Sequence, residues 1–100
     1  MIHHYAEPLI YLLSLNREPH PRYAVLLRDL PFSQGALNYL GFNGIITLSD
    51  LIVLPERYLK SMPGFGRKRL ENVKEVLANR GLYLGMNPDD IFISRSPSTG

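Results

Sequence analysis

The sequence predicts an all-α protein, built from four or five short helices joined by glycine-bearing turns. In the last of these helices, Leu70, Val73 and Leu77 recur at the i, i+3, i+7 spacing of a buried helical stripe. Glycine and proline interrupt the sequence often enough to keep each helix short, and no stretch alternates between apolar and polar residues as a half-buried strand would. A hydrophobic content of 45% with 20% charged residues is typical of one ordinary globular domain.

The first main helix is predicted to begin after Pro31-Phe32-Ser33. Ser33 is its N-cap, because a serine side chain accepts a hydrogen bond from a free N–H of the first turn. Three residues form its apolar face: Ala36, Leu37 and Leu40. Gly41 and Gly44 follow, and we expect them to close the helix.

The next two helices are short. Thr47 and Asp50 fit a capping box at the start of residues 48–54, with Asp in place of the usual Glu or Gln. Pro55 suits the first position of a further helical turn or two, which continues to Lys60.

The last main helix is predicted from about Arg67 to Arg80. Gly81 directly after it is a natural C-cap, and a cation in the last turn suits the helix dipole. Three apolar residues then pack as an extended or turn segment: Leu82, Leu84 and Met86.

The sequence divides into three segments. Residues 1–23 form an apolar lead-in with a proline-rich break, residues 24–86 form the helical domain, and residues 87–100 form a C-terminal tail that is disordered at its end. The segment Leu9–Leu15 is too apolar to remain in water, so it either folds back onto the domain or forms a surface for self-association or for a partner.

Residues 59–70 carry the strongest functional signal. Pro63-Gly64-Phe65-Gly66 directly precedes three cations, Arg67, Lys68 and Arg69. Glycine permits a positive φ and a close approach of backbone to a partner. The helix start that follows offers free N–H groups and the positive end of the dipole, which together make an anion site. The natural anion for such a surface is a nucleic-acid phosphate.

The charge distribution supports this interpretation. The formal net charge is only +2, but residues 56–81 carry seven cations against three anions, and the remaining residues carry four against six. Positive charge is therefore concentrated around the glycine turn, as expected of an electrostatic footprint for nucleic acid. The alternative is an ordinary solvated helix face, which is what most charge runs are.

Several blocks of the sequence resemble one family. Arg-Lys-Arg-Leu-Glu-Asn-Val-Lys at 67–74 and Arg-Gly-Leu-Tyr-Leu-Gly-Met at 80–86 are the most specific, and upstream blocks at 26–33, 38–45 and 48–51 follow in the same order. Over residues 24–86 the sequence resembles the C-terminal domain of the bacterial DNA-directed RNA polymerase alpha subunit. The resemblance implies a compact bundle of four to five short helices with helix-hairpin-helix-like turns.

The same resemblance implies a function and a site. The family domain binds the minor groove of duplex DNA. It also contacts sigma factor and transcription regulators, beside RNA polymerase in the cytoplasm. The predicted DNA-binding residues are Asn38, Gly64, Gly66, Arg67, Lys68, Arg69 and Asn72.

Asn38, Gly66 and Lys68 match the family pattern, but three positions depart from it. Gly35 stands where the family has Arg, Arg69 stands where it has Ser, and Asn72 stands where it has Glu. A minor-groove Arg supplies both charge and shape recognition, so restoring Arg at position 35 is expected to tighten binding.

Other classes of function have little support. Adjacent Asp89 and Asp90 point apart on a helix, so they do not predict an enzyme. The three histidines lack zinc-site spacing and there are no cysteines, so no metal or other cofactor is predicted. The longest apolar run, Leu9–Leu13, is far too short to span a membrane, and we expect a cytoplasmic protein.

The aromatic residues suit a core better than base stacking. We predict that Phe32, Tyr39 and Phe42 pack in the core. We also predict that Phe65 inserts into the core as a plug that anchors the glycine turn.

Two hypotheses remain open. The first is a DNA-binding module of transcription, favoured by Gly66, Lys68 and the local positive charge. The second is a protein–protein interaction module of the transcription machinery that keeps the fold and has lost DNA binding, favoured by Gly35.

Overall fold

The computed structural model describes residues 17–94. The helices within this range are α1 (Gln34–Phe42), α2 (Leu48–Ile52), α3 (Glu56–Lys60) and α4 (Gly66–Ala78). Short 3-10 helices lie at Pro21–Tyr23, Leu27–Asp29 and Pro88–Asp90. Two strands, β1 (Arg17–Pro19) and β2 (Phe92–Ser94), complete the described part of the protein. The predicted helical fold class is confirmed.

The two strands were not predicted. They pair antiparallel, with Arg17 opposite Ser94 and Pro19 opposite Phe92. Each is three residues long, which is too short to show an alternating pattern, and β1 occupies the predicted proline-rich break. The Arg17 guanidinium donates a hydrogen bond of 2.9 Å to Asp89 and lies over the Phe92 ring. This pairing fixes the segment that leads into the helices against the segment that leaves them.

The predicted helix caps are present. The Ser33 hydroxyl accepts a 3.2 Å hydrogen bond from the Ala36 N–H at the start of α1. At the start of α2, the Thr47 hydroxyl accepts from the Asp50 N–H at 3.2 Å, and the Asp50 carboxylate accepts from the Thr47 N–H at 3.1 Å. Both arms of the capping box are thus formed, and the shorter Asp side chain reaches far enough.

Helix ends differ from the predictions by one or two residues, which is the usual uncertainty of helix bounds. Helix α1 continues through Gly41 to Phe42, and the backbone then turns at Gly44, whose φ is +79°. After α4, Gly81 has a φ of +73°, and the Leu82 N–H donates back to the Leu77 carbonyl at 2.8 Å. The predicted C-cap at Gly81 is therefore confirmed.

One core is shared by all four helices. The α4 residues that face it are Leu70, Val73, Val76 and Leu77, as predicted. Phe65 is fully buried and Phe32 nearly so. The prediction for Phe42 was wrong, since it is 86% exposed. Phe42 lies two residues beyond the buried Leu40, and two residues turn a helix by about 200°, which points this ring away from the core.

Two predicted segments fall outside the described residues. The apolar segment Leu9–Leu15 lies before residue 17, and residues 95–100 of the predicted tail lie after β2. Among residues 17–94, no helix combines the length and the apolar character that crossing a membrane requires.

Candidate nucleic-acid interface

The turn between α3 and α4 is a tight glycine hairpin, which we define as residues 62–66. Gly64 and Gly66 both have a φ of +79°, in the left-handed region that favours glycine. Phe65 between them is fully buried, and its N–H donates to the Met62 carbonyl at 3.1 Å. The predicted role of Phe65 as a plug is confirmed, and the buried ring fixes the turn to the core.

The two glycines are required for different reasons. A Cβ on Gly64 would lie 2.5 Å from the Tyr39 hydroxyl oxygen, so any side chain at position 64 collides with α1. A Cβ on Gly66 would meet nothing nearer than the Arg69 Nη1 at 4.0 Å. Position 66 therefore needs glycine only for its backbone conformation, and space remains open beside it for a ligand.

The start of α4, directly after the hairpin, is exposed to solvent. The first turn of this 13-residue helix contains Gly66, Arg67 and Lys68, all exposed. N–H groups of a first helical turn have no partner within the helix, and the dipole makes this end positive. An exposed helix start that carries two cations is well suited to an anion.

The cations around this helix start differ in how far they are neutralised. Lys74 lies 3.0 Å from the Glu56 carboxylate and Lys60 lies 3.7 Å from it. The hydrogen bond from Lys74 holds the pKa of the Glu56 carboxyl below its usual range, so the carboxylate stays charged. Arg67 is a looser 3.9 Å from Glu71, and Lys68 makes no ion pair within residues 17–94. Lys68 is thus the cation with the least competition for an incoming phosphate.

Arg69 and Asn72 are hydrogen-bonded to backbone groups outside α4. Arg69 Nη1 donates to the Gly64 carbonyl at 3.0 Å and to the Phe65 carbonyl at 3.2 Å, and its guanidinium lies 4.8 Å from the centre of the Tyr39 ring. The Asn72 side-chain oxygen accepts a 2.7 Å hydrogen bond from the Ser33 N–H. Both residues tie α4 to neighbouring backbone, and their contact with DNA stays a prediction.

Asn38 lies on the exposed side of α1, where its side-chain oxygen accepts from Gln34 at 2.9 Å. Helix α1 also supplies Tyr39, which packs edge-on against Phe65 with ring centres 6.2 Å apart. The structure thus brings α1, the hairpin and the start of α4 together. The sequence analysis assigned Tyr39 to the core and missed its contact with the hairpin. The available signal was the spacing of four residues between Gly35 and Tyr39, which places both on the same face of α1.

These features define a class of protein: a small helical domain in which a glycine hairpin presents a basic helix start. Residues 16–79 match the family of the C-terminal domain of the bacterial RNA polymerase alpha subunit. The protein belongs to this family. The predicted resemblance is confirmed, and the family match supports the prediction of a DNA-binding module of transcription.

Individual relatives agree with the family match. The sequence is 46% identical over 61 residues to the DNA-directed RNA polymerase subunit alpha of Hydrogenobaculum sp. (strain Y04AAS1). It is 48% identical over 61 residues to the subunit of the same name from Aquifex aeolicus (strain VF5). Each match covers 61% of this protein and 19% of the relative. The matched region thus spans about a fifth of the length of these curated relatives.

Proposed function

We propose that the protein binds duplex DNA through the glycine hairpin and the start of α4, as a non-catalytic accessory module of bacterial transcription. The observation that carries this proposal is the hairpin itself. Gly64 and Gly66 have a positive φ, the space beside Gly66 is open, and the helix that follows begins with the exposed Arg67 and Lys68. Backbone N–H groups, the helix dipole and Lys68, which has no ion-pair partner within residues 17–94, then act on the same phosphate.

In this arrangement one DNA strand passes over the hairpin. The absence of a side chain at Gly66 lets a phosphate oxygen approach the N–H groups of the first turn of α4, and Lys68 neutralises its charge. Asn38 on the adjoining helix offers a neutral donor and acceptor to base edges in the minor groove. The larger share of the affinity comes from phosphate contacts, so binding depends little on sequence.

Family membership supports further proposals about partners. We propose that the module acts in the cytoplasm beside RNA polymerase, with sigma factor or a transcription regulator as a protein partner. The domain itself performs no catalysis, since its proposed chemistry is phosphate binding alone.

A salt titration of DNA binding tests the proposal. If three to five phosphates are neutralised, the logarithm of the binding constant falls against the logarithm of salt concentration with a slope of about −3 to −4.5. Fluorescence anisotropy with a labelled duplex of mixed sequence, at several salt concentrations, measures that slope. Absence of binding at low salt, or binding that ignores salt, would contradict the proposal.

One observation favours a second candidate function, an interaction surface for protein. Phe42 is 86% exposed and Ile46 is 48% exposed. A cavity of about 260 Å³ also opens beside α1, and its lining includes Ile46 and Gly41, the neighbour of Phe42 in the sequence. Its lining is mostly apolar: Leu26, Leu27, Arg28, Leu37, Gly41, Ile45 and Ile46. We call Phe42, Ile46 and this cavity the apolar patch, and exposed groups of this kind mark interaction sites.

We propose that the occupant of the apolar patch is the segment Leu9–Leu15 of this same sequence. It is the most apolar segment of the protein, and Leu15 lies two residues before β1, which starts at Arg17. Leu9 lies eight residues before Arg17, and eight residues of extended backbone reach about 26 to 29 Å at most, which is close to the diameter of a small domain.

Removing Phe42 tests this second function. We expect Phe42→Ser and deletion of residues 1–15 to have the same effect, because each removes one side of the same contact. If the segment docks within one molecule, each change lowers the melting temperature. If it docks between two copies, each change turns a concentration-dependent dimer into a monomer. Tyr83→Ser is the matched control, since Tyr83 is 58% exposed outside the apolar patch. Unchanged melting and unchanged mass by sedimentation would contradict the proposal.

A further inference from the structure

Gly35 of α1 and Arg69 of α4 fit together in the structure. A Cβ on Gly35 would lie 2.8 Å from the Arg69 Nε and 3.4 Å from its Nη2. The first distance is shorter than real Cβ contacts. Gly35 lies within α1 and its φ is not positive, so its backbone does not require glycine. The requirement at position 35 comes instead from the guanidinium that lies across it.

The Arg69 guanidinium is held in place by three contacts. Its Nη1 bridges the carbonyl oxygens of Gly64 and Phe65, and its face lies over the Tyr39 ring. Its Nε is buried and has no hydrogen-bond partner among the described residues. A buried N–H without a partner is unfavourable, so the bonds to the hairpin and the ring contact are what hold the side chain in this position.

These contacts change the electrostatics of the hairpin. The carbonyl oxygens of Gly64 and Phe65 carry partial negative charge, which repels a phosphate, and Arg69 engages both of them. With those oxygens bound, the orientation of the turn is fixed and the N–H groups of the α4 start stay directed outward. An arginine differs from a lysine here in its flat face, which lies over the Tyr39 ring while Nη1 donates to both carbonyl oxygens.

We infer that Arg69 is a positioning residue of the DNA interface, which holds the glycine hairpin in its binding conformation, and that Gly35 is the residue that admits it. The inference rests on the proposed function. It also reverses the sequence-based expectation for position 35. Because Arg69 occupies the space beside Gly35, an added arginine there displaces it, and Gly35→Arg weakens DNA binding.

A double-mutant cycle of Gly35→Ala and Arg69→Ala tests the inference, with DNA affinity as the first measurement. In the presence of Arg69, alanine at position 35 lowers the affinity about tenfold, the size expected when one charge-assisted hydrogen-bonded group is displaced. In the Arg69→Ala background the same change has almost no further effect. Additive effects of the two substitutions would overturn the inference.

Arg69→Lys separates positioning from charge. The positive charge is kept, but the flat guanidinium that lies over the Tyr39 ring is lost, so we expect this variant to bind DNA more weakly than the wild type. The salt slope of both variants stays at the wild-type value, because no phosphate contact is removed. Wild-type affinity of the lysine variant, or a slope that shrinks by about 0.9 for the alanine variant, would make Arg69 a phosphate ligand and overturn its positioning role.

Thermal melts of the four proteins of the double-mutant cycle distinguish this inference from the proposed function. These are the wild type, the two alanine variants and the double variant. Alanine favours a helix over glycine, so Gly35→Ala raises the melting temperature when Arg69 is absent and does not when Arg69 is present. If the wild-type protein does not bind DNA, but the effect of Gly35→Ala on the melting temperature still depends on Arg69, the proposed function and the DNA role of Arg69 are overturned. The contact between Gly35 and Arg69 would still stand. DNA binding with uncoupled melts would overturn this inference alone.

Discussion

Gly64→Ala is expected to destabilise the protein and to remove most of its DNA affinity. The left-handed backbone at position 64 costs a residue with a Cβ about 1–2 kcal/mol. The collision with the Tyr39 hydroxyl, which a Cβ would approach to 2.5 Å, costs about 1–3 kcal/mol more. To relieve this collision, α1 and the hairpin must move apart. This movement disrupts both their packing and the DNA-binding surface that they form. Urea unfolding gives the free energy, and anisotropy gives the DNA affinity.

Two other glycines of the same protein serve as controls. Gly41→Ala meets no atom within 4 Å at an ordinary φ, so it stabilises α1 by up to about 1 kcal/mol and leaves binding unchanged. Gly66→Ala has space but keeps the positive φ, so its loss of stability is smaller than that of Gly64→Ala. Equal stability of the Gly41 and Gly64 variants would contradict this description of the hairpin.

Lys68→Ala is expected to lower DNA affinity about tenfold near 0.1 M salt, and to reduce the salt slope by about 0.9, as for one lost phosphate contact. Lys68 is exposed in the first turn of α4 and has no ion-pair partner within residues 17–94. Titrations at four salt concentrations measure both quantities.

Lys74→Ala is the matched control for Lys68. It removes the same charge from the same helix, but Lys74 is paired with Glu56 at 3.0 Å. We expect at most a twofold change in affinity, since the charge of Lys74 is already compensated. Equal losses from the two substitutions would mean that diffuse charge carries binding, without a defined site at the hairpin.

Local signals were enough to predict most of the helical framework. Ser33, the Thr47 and Asp50 pair, and Gly81 act on backbone groups within a few residues, so their roles can be inferred from sequence. The glycine hairpin was predicted from equally local evidence, because glycine is the residue that adopts a positive φ most readily.

Contacts between distant residues were not predictable in this way. The Asn72 side chain binds the Ser33 N–H, 39 residues away, and Arg17 binds Asp89, 72 residues away. Arg69 was assigned to DNA for its charge, and its contact with the Tyr39 ring of α1 was missed. Such partners depend on how α1 and α4 pack, and no local pattern encodes that geometry.

The exposure of Phe42 is a different kind of error, because the start of α1 after Ser33 was predicted correctly. An aromatic residue near the end of a short amphipathic helix is typically buried, but the start of α1 at Gln34 fixes the rotation that turns Phe42 outward. A shift of one residue in the helix register decides whether such a ring joins the core or forms an interaction surface.

An NMR titration of the isotope-labelled protein with duplex DNA tests the central claim most directly. If the glycine hairpin and the α4 start form the DNA interface, the largest amide shifts at low salt fall on Gly64, Gly66, Arg67 and Lys68, with Asn38 on α1. Amides of α2, which contribute nothing to the proposed interface, stay in place. Shifts confined to the apolar patch around Phe42 and Ile46, with an unperturbed hairpin, would contradict the account.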